Sequence, residues 1–338
     1  MKVYAGIDLH SSNNYVGIID EEGKRLYRKR LPNQLEYILQ ALEPFKESLE
    51  GVVVESTFNW YWMVDGLQEH GYKLHLANPS AIKQYEGLKH TDDKWDSFWL
   101  AHMKRLNILP EGYIYPKKER PVRDALRRRL LFVRHRTSHI LSLESAITRN
   151  LGYKISGNDI KKLNESDADQ LFDEPFLILT ARNSISTIQF LGERIKEIEK
   201  AIKSHVKLRP EFRYLLTMPG IGDILALTIM LEVGDINRFP EVGNYSSYSR
   251  CVKSERFSNK KKKGEGNRKN GNKYLAWAYV EAANFAIRSY PEFQSFYNRK
   301  KAKTNGIVAI KALSNKLSRA SYYVMRDQVP YDVKKLFR

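Results

Sequence analysis

The chain of 338 residues contains one cysteine, Cys251. A single thiol closes no internal disulfide and builds no thiolate metal site alone, so a disulfide scaffold and a zinc finger are excluded and a reducing cytoplasm is expected. Long apolar runs are missing too. Residues 224–231, the longest, are interrupted by Thr228 and fall far short of the roughly 20 residues that cross a bilayer. Residues 1–10 lack the apolar core of a secretory signal. A membrane or secreted protein is therefore not expected. There is no internal repeat and no long low-complexity tract, and 42% apolar with 12% aromatic residues is enough to bury real cores. Acid is the scarce charge: 39 Asp and Glu against 57 Lys and Arg leave a net +18. An excess of that size argues for a polyanionic partner, most often nucleic acid.

Three regions separate by pattern. In residues 1–110, β-rich runs at 3–8, 15–19 and 25–29 are joined by short polar links, with Glu21-Glu22-Gly23 as a hairpin turn, and read as a three-stranded meander. Leu35, Ile38, Leu39, Leu42 and Phe45 recur at helical spacing within 34–49, ahead of a buried-looking strand at 51–55. A helix at 61–70 and a strand at 73–77 follow. The order β-β-β-α-β-α-β-α is that of an α/β RNase H-like domain. Residues 111–206 read as a basic helical connector. Nine Lys and Arg lie between Lys117 and Arg136, interleaved with Leu126, Leu130, Leu131 and Val133, and Ile188, Leu191, Ile195 and Ile198 continue the pattern. One face of such a coiled-coil-like pair packs while the other, carrying Arg127 and Arg128, meets phosphate. Residues 207–338 read as a mainly α C-terminal domain. There Pro219-Gly220-Ile221-Gly222, between two apolar helical stretches, resembles a helix-hairpin-helix, in which Gly220 and Gly222 let backbone N–H groups approach a DNA phosphate.

Carboxylates mark one candidate site. Asp8 closes the first strand and Glu55 the fourth, so neighbouring strands would bring them together. Two unpaired carboxylates at that range repel, and a divalent cation between them removes the cost. Asp92, Asp93 and Asp96 form a second group; on a helix Asp93 and Asp96 share a face, and Asp92 with Asp96 could do so as well. Four carboxylates converging at one end of a sheet suit Mg²⁺ (or Mn²⁺) ions about 3.5–4 Å apart, the arrangement that cleaves phosphodiesters. Gly6-Ile7-Asp8 also opens actin-like ATPases and sugar kinases, but the turn after it has no glycine to cradle phosphate, and no second phosphate loop follows.

A second group of residues lies at 258–273, with seven basic residues and one acid. Read as a loop that buries no core, it wraps a phosphate backbone with Lys260, Lys261, Lys262, Lys263, Arg268 and Lys269. Ser258 at its edge is a hydroxyl nucleophile once a base, metal or cationic field activates it; Ser254, Tyr245 and Tyr248 are alternatives on chemistry alone.

The runs Gly6-Ile7-Asp8-Leu9-His10, Val52-Val53-Val54-Glu55-Ser56-Thr57, Asp93-Lys94-Trp95-Asp96, Met218-Pro219-Gly220-Ile221-Gly222 and the segment 269–284 together resemble the DEDD insertion-sequence transposases and the related Piv-type pilin-gene invertases. The likeness is collinear over nearly the whole chain. It implies an RNase H-like domain similar to Holliday-junction resolvases, a helical connector, and a C-terminal domain with a nucleophilic serine. Carried over by position, Asp8, Glu55, Asp93 and Asp96 are the metal-binding tetrad, and Asp92 is only a neighbour. Ser258 fits the serine by spacing, with Gly266 and Gly271 in register, while Asn259 and Lys260 stand where the family's run has glycine. The resemblance also implies a cytoplasmic, nucleoid-associated prokaryotic recombinase acting as a homo-oligomer, dimer to tetramer. Its partners are donor and target DNA and a noncoding bridge RNA that pairs with both. Delegating sequence reading to base pairing suits a basic chain without a clear recognition helix. A junction-resolving nuclease using water, or a decayed nucleic-acid-binding protein, is the alternative.

Overall fold

Along the first strand Val3, Ala5, Ile7 and Leu9 alternate with Tyr4, Gly6 and Asp8, and the two sets go to opposite faces of a sheet. In the computed structural model, which describes residues 1–82, 93–206, 209–253, 256–259, 261–264 and 270–333, that strand is the middle of five. β1 (Val3–Leu9), β2 (Asn13–Asp20) and β3 (Arg25–Pro32) form an antiparallel meander, and β4 (Leu49–Glu55) and β5 (Leu74–Ala77) continue the sheet parallel to β1 in the order β3-β2-β1-β4-β5. The chain divides into two units, Met1–Lys117 and Lys118–Arg338.

In the first unit, the odd residues of β1 pack with Val52 and Val54 of β4 and with Ile38, Leu42, Met63 and Leu67 from α1 (Leu35–Leu42) and α2 (Tyr61–Glu69). The helix expected over 34–49 stops at Leu42 and tightens into a 3-10 segment, Glu43–Ser48. Pro44 is the reason, since it has no N–H to continue the α-helical ladder. The other sheet face receives α3 (Asp93–Arg105): Tyr4 packs with Phe98 and Ala101, and Val53 with Leu100 and Met103.

Two glycines let α3 lie directly on the strands. A Cβ built on Gly6 would sit 2.0 Å from the Ser97 carbonyl oxygen, and one on Gly17 2.8 Å from Ser97 Oγ. Gly6→Ala therefore has to push α3 off the sheet. It is expected to lower the stability of this unit by about 1–3 kcal/mol, read from urea denaturation, with an intact chain as the outcome that would contradict the close packing. The direction of α3 follows from the same contacts. Ser97 lies over Gly6, whereas His102 lies beside Gly23 and Arg105 Nη1 donates to the Glu21 carbonyl at the far hairpin. The helix thus runs antiparallel to β1, with its first turn toward the end where Asp8 sits.

The second unit is mainly helical. α4 (Arg120–Leu151), the short α5 (Gly157–Ile160) and α6 (Asp167–Leu171), and α7 (Pro175–His205) come first. Leu126 shares a core with Ile202, Arg129 pairs with Glu199, and Ile140 packs with Ile188, so α4 and α7 are antiparallel along their length. These helices, expected as a separate connector, lie in the same unit as the rest: α8 (Pro210–Leu215), α9 (Asp223–Val233), α10 (Val242–Tyr248), α11 (Lys273–Ser289), α12 (Pro291–Lys303) and α13 (Gly306–Asp327). α9 is apolar around most of its circumference and is buried among its neighbours, as that composition requires. Among the described residues, no helix is long and apolar enough to cross a membrane.

Where a loop is expected over 258–273, its first part belongs to a hairpin, β6 (Arg256–Ser258) against β7 (Lys261–Gly264). Ser258 pairs with Lys261, which leaves a two-residue turn, and Asn259 takes the left-handed conformation (φ 49°) that such a turn demands. A lysine-rich run without hydrophobic alternation hides this strand pair from pattern reading.

Candidate active site

Side-chain alternation sets the first half of the site. Asp8 follows Tyr4 and Gly6 onto the α3 face of β1, and Glu55 follows Val53 onto the same face of β4. The parallel register, Ile7 opposite Val54, puts the two carboxylates side by side at the C-terminal ends of adjacent strands. They are hydrogen-bonded to each other. Burial first, then the charge of Asp8 and the shared hydrogen bond, push the Glu55 carboxyl up to about 7, against a smaller opposing pull from His10. Asp8 is 4% exposed, and His10 Nε2 stands 3.1 Å from its Oδ2.

The turn beyond β1 is held from two sides. Asn33 Nδ2 and Asn59 Nδ2 both donate to the His10 carbonyl, at 2.9 and 3.0 Å, and Asn59 Oδ1 accepts from Thr57 Oγ1. His10 and Asn59 are site residues that sequence reading missed. His10 lies in the quoted run after Asp8, but nothing in spacing reveals that Asn59 reaches back 49 positions.

Asp96 is in the first turn of α3, half-buried, and Asp93 opens that helix, so both belong to the end of the sheet where Asp8 and Glu55 meet. The side chain of Asp93 and the whole of Asp92 lie outside the described residues. Among the described residues, no group of three or more carboxylate, imidazole or thiol side chains is gathered that could hold a metal ion.

In the second unit Ser258 ends β6 and is exposed, as are Lys261 and Lys263 on β7. The Lys262 side chain, Lys260, Gly266, Arg268, Lys269 and Ser254 lie outside the described residues. Tyr245, an alternative nucleophile on chemistry alone, is fully buried with its hydroxyl bonded to that of Tyr279, so no substrate reaches it. The Tyr248 ring packs against Phe239 and under the Arg238 guanidinium.

The hairpin grows from a fixed root. Arg250 Nε donates to the carbonyls of Asn270 and Gly271, and Asn272 N donates to the Tyr248 carbonyl at 2.6 Å. Gly271 is required here, since its φ is +89° and a Cβ would stand 2.5 Å from that same carbonyl oxygen. Asn272 also caps α11, accepting from the N–H groups of Tyr274 and Leu275, and donates through Nδ2 to Glu232 Oε2 at 2.7 Å. Glu232, 2% exposed, in turn holds Arg123 at 3.0 Å and Arg127 through two bonds of 2.6 and 2.8 Å. Burial alone would raise the Glu232 carboxyl, but the guanidiniums and Asn272 outweigh it and hold it below the usual range. Arg127, expected at phosphate, is thus engaged inside the protein, with Tyr274 under its guanidinium; Arg128 beside it is exposed.

Gly220, at φ +76°, has a packing reason of its own, as a Cβ would stand 2.1 Å from the Ala282 carbonyl oxygen on α11. Gly222 is exposed at the N-cap of α9 with open space where its Cβ would be.

Residues 5–150 match the family model for DEDD transposases of the IS110 type, and residues 212–298 match that of the transposase IS116/IS110/IS902 family. The chain belongs to this transposase family. The two matches bracket both sites, the sheet with α3 and α4 in one and α8 to α12 in the other. The chain is 24% identical to the transposase for insertion sequence element IS1328 of Yersinia enterocolitica, over 94% of its own length and 95% of the relative's. It is 23% identical to the pilin gene-inverting protein of Moraxella lacunata, covering 83% and 81% of the two chains. The transposase for IS1111A of Coxiella burnetii is 24% identical over 84% and 77%. Membership in a family of transposases makes this chain an enzyme of DNA strand cleavage and transfer.

Proposed function

We propose that this is the transposase of an insertion sequence, which cuts and rejoins DNA through a serine ester and takes its target from a noncoding bridge RNA. The observation that carries the reading is the buried contact of Asp8 with Glu55 on the α3 face, at the end of an RNase H-like sheet. Two carboxylates that must share a proton when alone are a donor set suited to a hard divalent cation. Asp8, Glu55, Asp93 and Asp96 are the residues that would hold Mg²⁺ or Mn²⁺. When bound, the ion supplies Lewis-acid stabilisation of charge at a scissile phosphate. The chain's own residues do the rest. Asp8 and Glu55 bind and orient from rigid strand ends, and the clamped turn at His10 keeps them in register.

Ser258 is the nucleophile of the proposed reaction. Its Oγ bonds to phosphorus, its proton passes to solvent, and the bond from phosphorus to the leaving deoxyribose oxygen breaks, that oxygen taking a proton from solvent to leave as a hydroxyl. A hydroxyl of a second strand reverses the attack, so the ester preserves the bond energy and no nucleotide triphosphate is needed. Asn259 supports this reading, since it takes the left-handed turn conformation in which the family's run has glycine. The helical pair α4 and α7 acts as a coiled-coil-like connector, the hairpin at Gly220 and Gly222 as a helix-hairpin-helix, and the exposed lysines and Arg128 as phosphate contacts for donor DNA, target DNA and guide RNA. The assembly is an oligomer, dimer to tetramer, in which the serine of one copy serves the carboxylates of another.

The test recovers protein-linked DNA from cells carrying the complete element and flanks, after denaturation. An adduct is expected with wild type and not with Asp8→Ala; cut DNA without any adduct would replace the recombinase with a water-using nuclease. A pH effect accompanies the carboxylate pair. Glu55 keeps its proton to about 7 in the folded chain, against 4.5 as a free group, so the folded state binds more protons between those values. The metal-free protein therefore loses stability as pH rises through that window. Mn²⁺, which removes the need for that proton, is expected to raise Tm more above about pH 8 than below about pH 6. Equal shifts at both would argue against the site.

A further inference from the structure

One large apolar side chain is displayed where burial would be its ordinary fate. Phe58 is 85% exposed, more than any other large hydrophobic residue among those described, and no aromatic ring or cation of a described residue stacks on it. It does not ride on a loose segment. Ser56 N donates to the Ala77 carbonyl, Thr57 N to that of Glu55, and Asn59 Nδ2 to that of His10, while Trp60 is buried in the core. The ring is therefore held in water by a loop fixed at both ends, three residues beyond Glu55 and bonded to the turn that follows Asp8.

We infer that Phe58 is a stacking platform for an unpaired nucleobase of the DNA strand presented to the carboxylates, an inference that rests on reading Asp8 and Glu55 as the strand-cutting pair. The chemistry of the surroundings favours nucleic acid over protein. The edge strand β3 exposes Arg28, Lys29 and Arg30, and Arg30 stands opposite Tyr15, which in turn stands opposite Asp8. A cationic edge strand and a bare ring on one sheet match a phosphate chain with an attached base. Stacking on an aromatic face is open to every base, so the contact reads strand opening rather than sequence. In a continuous duplex both faces of each base are taken by neighbours; only a base freed at a distortion or a branch can lie on the ring. Phe58 would then favour substrates already opened at the cutting site.

The experiment uses the full chain and two DNA duplexes, one fully paired and one with an unpaired bulge carrying the fluorescent adenine analogue 2-aminopurine, in Ca²⁺ buffer. Binding of wild type or Phe58→Trp is expected to quench the analogue. Phe58→Ala, with Tm unchanged at so exposed a position, is expected to lose the quenching and to weaken binding of bulged DNA by about 5- to 100-fold, while paired DNA changes by less than about 2-fold. Unaltered quenching in Phe58→Ala, equal losses on both duplexes, or a change in oligomeric state with DNA binding intact would each overturn the inference. Asp8→Asn, assayed for cleavage in Mg²⁺, separates it from the reading beneath it. Cleavage that survives removes the strand-cutting pair and the platform's reason together, whereas cleavage lost there with quenching unaltered in Phe58→Ala overturns the platform alone.

Discussion

Ser258→Ala is expected to leave a folded protein that still binds DNA but forms no covalent adduct, with strand transfer lower by at least about 10³-fold. The fold should not notice the change. Ser258 is exposed at the end of a short strand, where losing a hydroxyl costs within about 0.5 kcal/mol. Binding should not notice it either, because salt-dependent affinity comes from the lysines and arginines. What disappears is the atom that bonds to phosphorus, and the Tyr245 hydroxyl, being buried, does not replace it. Ser258→Cys restores a nucleophile in the same place and should return some adduct. Strand transfer by the alanine variant at wild-type rate, measured by joining of element ends in cells, would remove Ser258 from the mechanism.

Glu232→Ala carries the largest expected loss of stability, about 3–5 kcal/mol. The carboxylate is 2% exposed and holds two guanidiniums and the Asn272 amide, so its removal takes from Arg123, itself 7% exposed, and from Arg127 the carboxylate they share. Urea denaturation of the second unit measures it, and a change below about 1 kcal/mol would mean that water reaches these arginines. The pH sign is opposite to that of Glu55. Glu232 is held below its usual value in the folded chain, so its contribution is present above the unfolded carboxyl range and is lost as pH falls through the lower folded one. Loss of Asn272 as cap and of the root of the serine hairpin should follow, so strand transfer falls with stability.

How much of this is legible in the sequence depends on how far each signal reaches. The place of Asp8 and Glu55 could be read because alternation along a strand fixes the face, and both residues close their strands. The shared end of Asp93 and Asp96 could be read from helical spacing. Pro44 lies within the run of apolar residues at helical period that carries the expected helix on to Leu49, and it is what ends the helix early. The hairpin at Ser258 gives no periodic signal, because its lysine run does not alternate with apolar residues and its turn begins on one asparagine. Glu232 is visible only as a charge near the end of an apolar helix. Its partners Arg123 and Arg127 are 109 and 105 residues away, a distance over which composition says nothing. Phe58 is hidden for the converse reason: from sequence alone an aromatic residue reads as core, and only its exposure makes it unusual.

Among the described residues, the root of the serine hairpin is gripped through backbone carbonyls and one glycine, by Arg250, Tyr248 and Asn272. The span between those anchors is in effect a cassette. Around Ser258 its sequence and length can drift, or be exchanged by an engineer, while the scaffold that receives it stays in place, since longer insertions between fixed ends cost only slowly growing closure entropy. Evolution of new substrate habits in such a chain has a ready route that never touches the core.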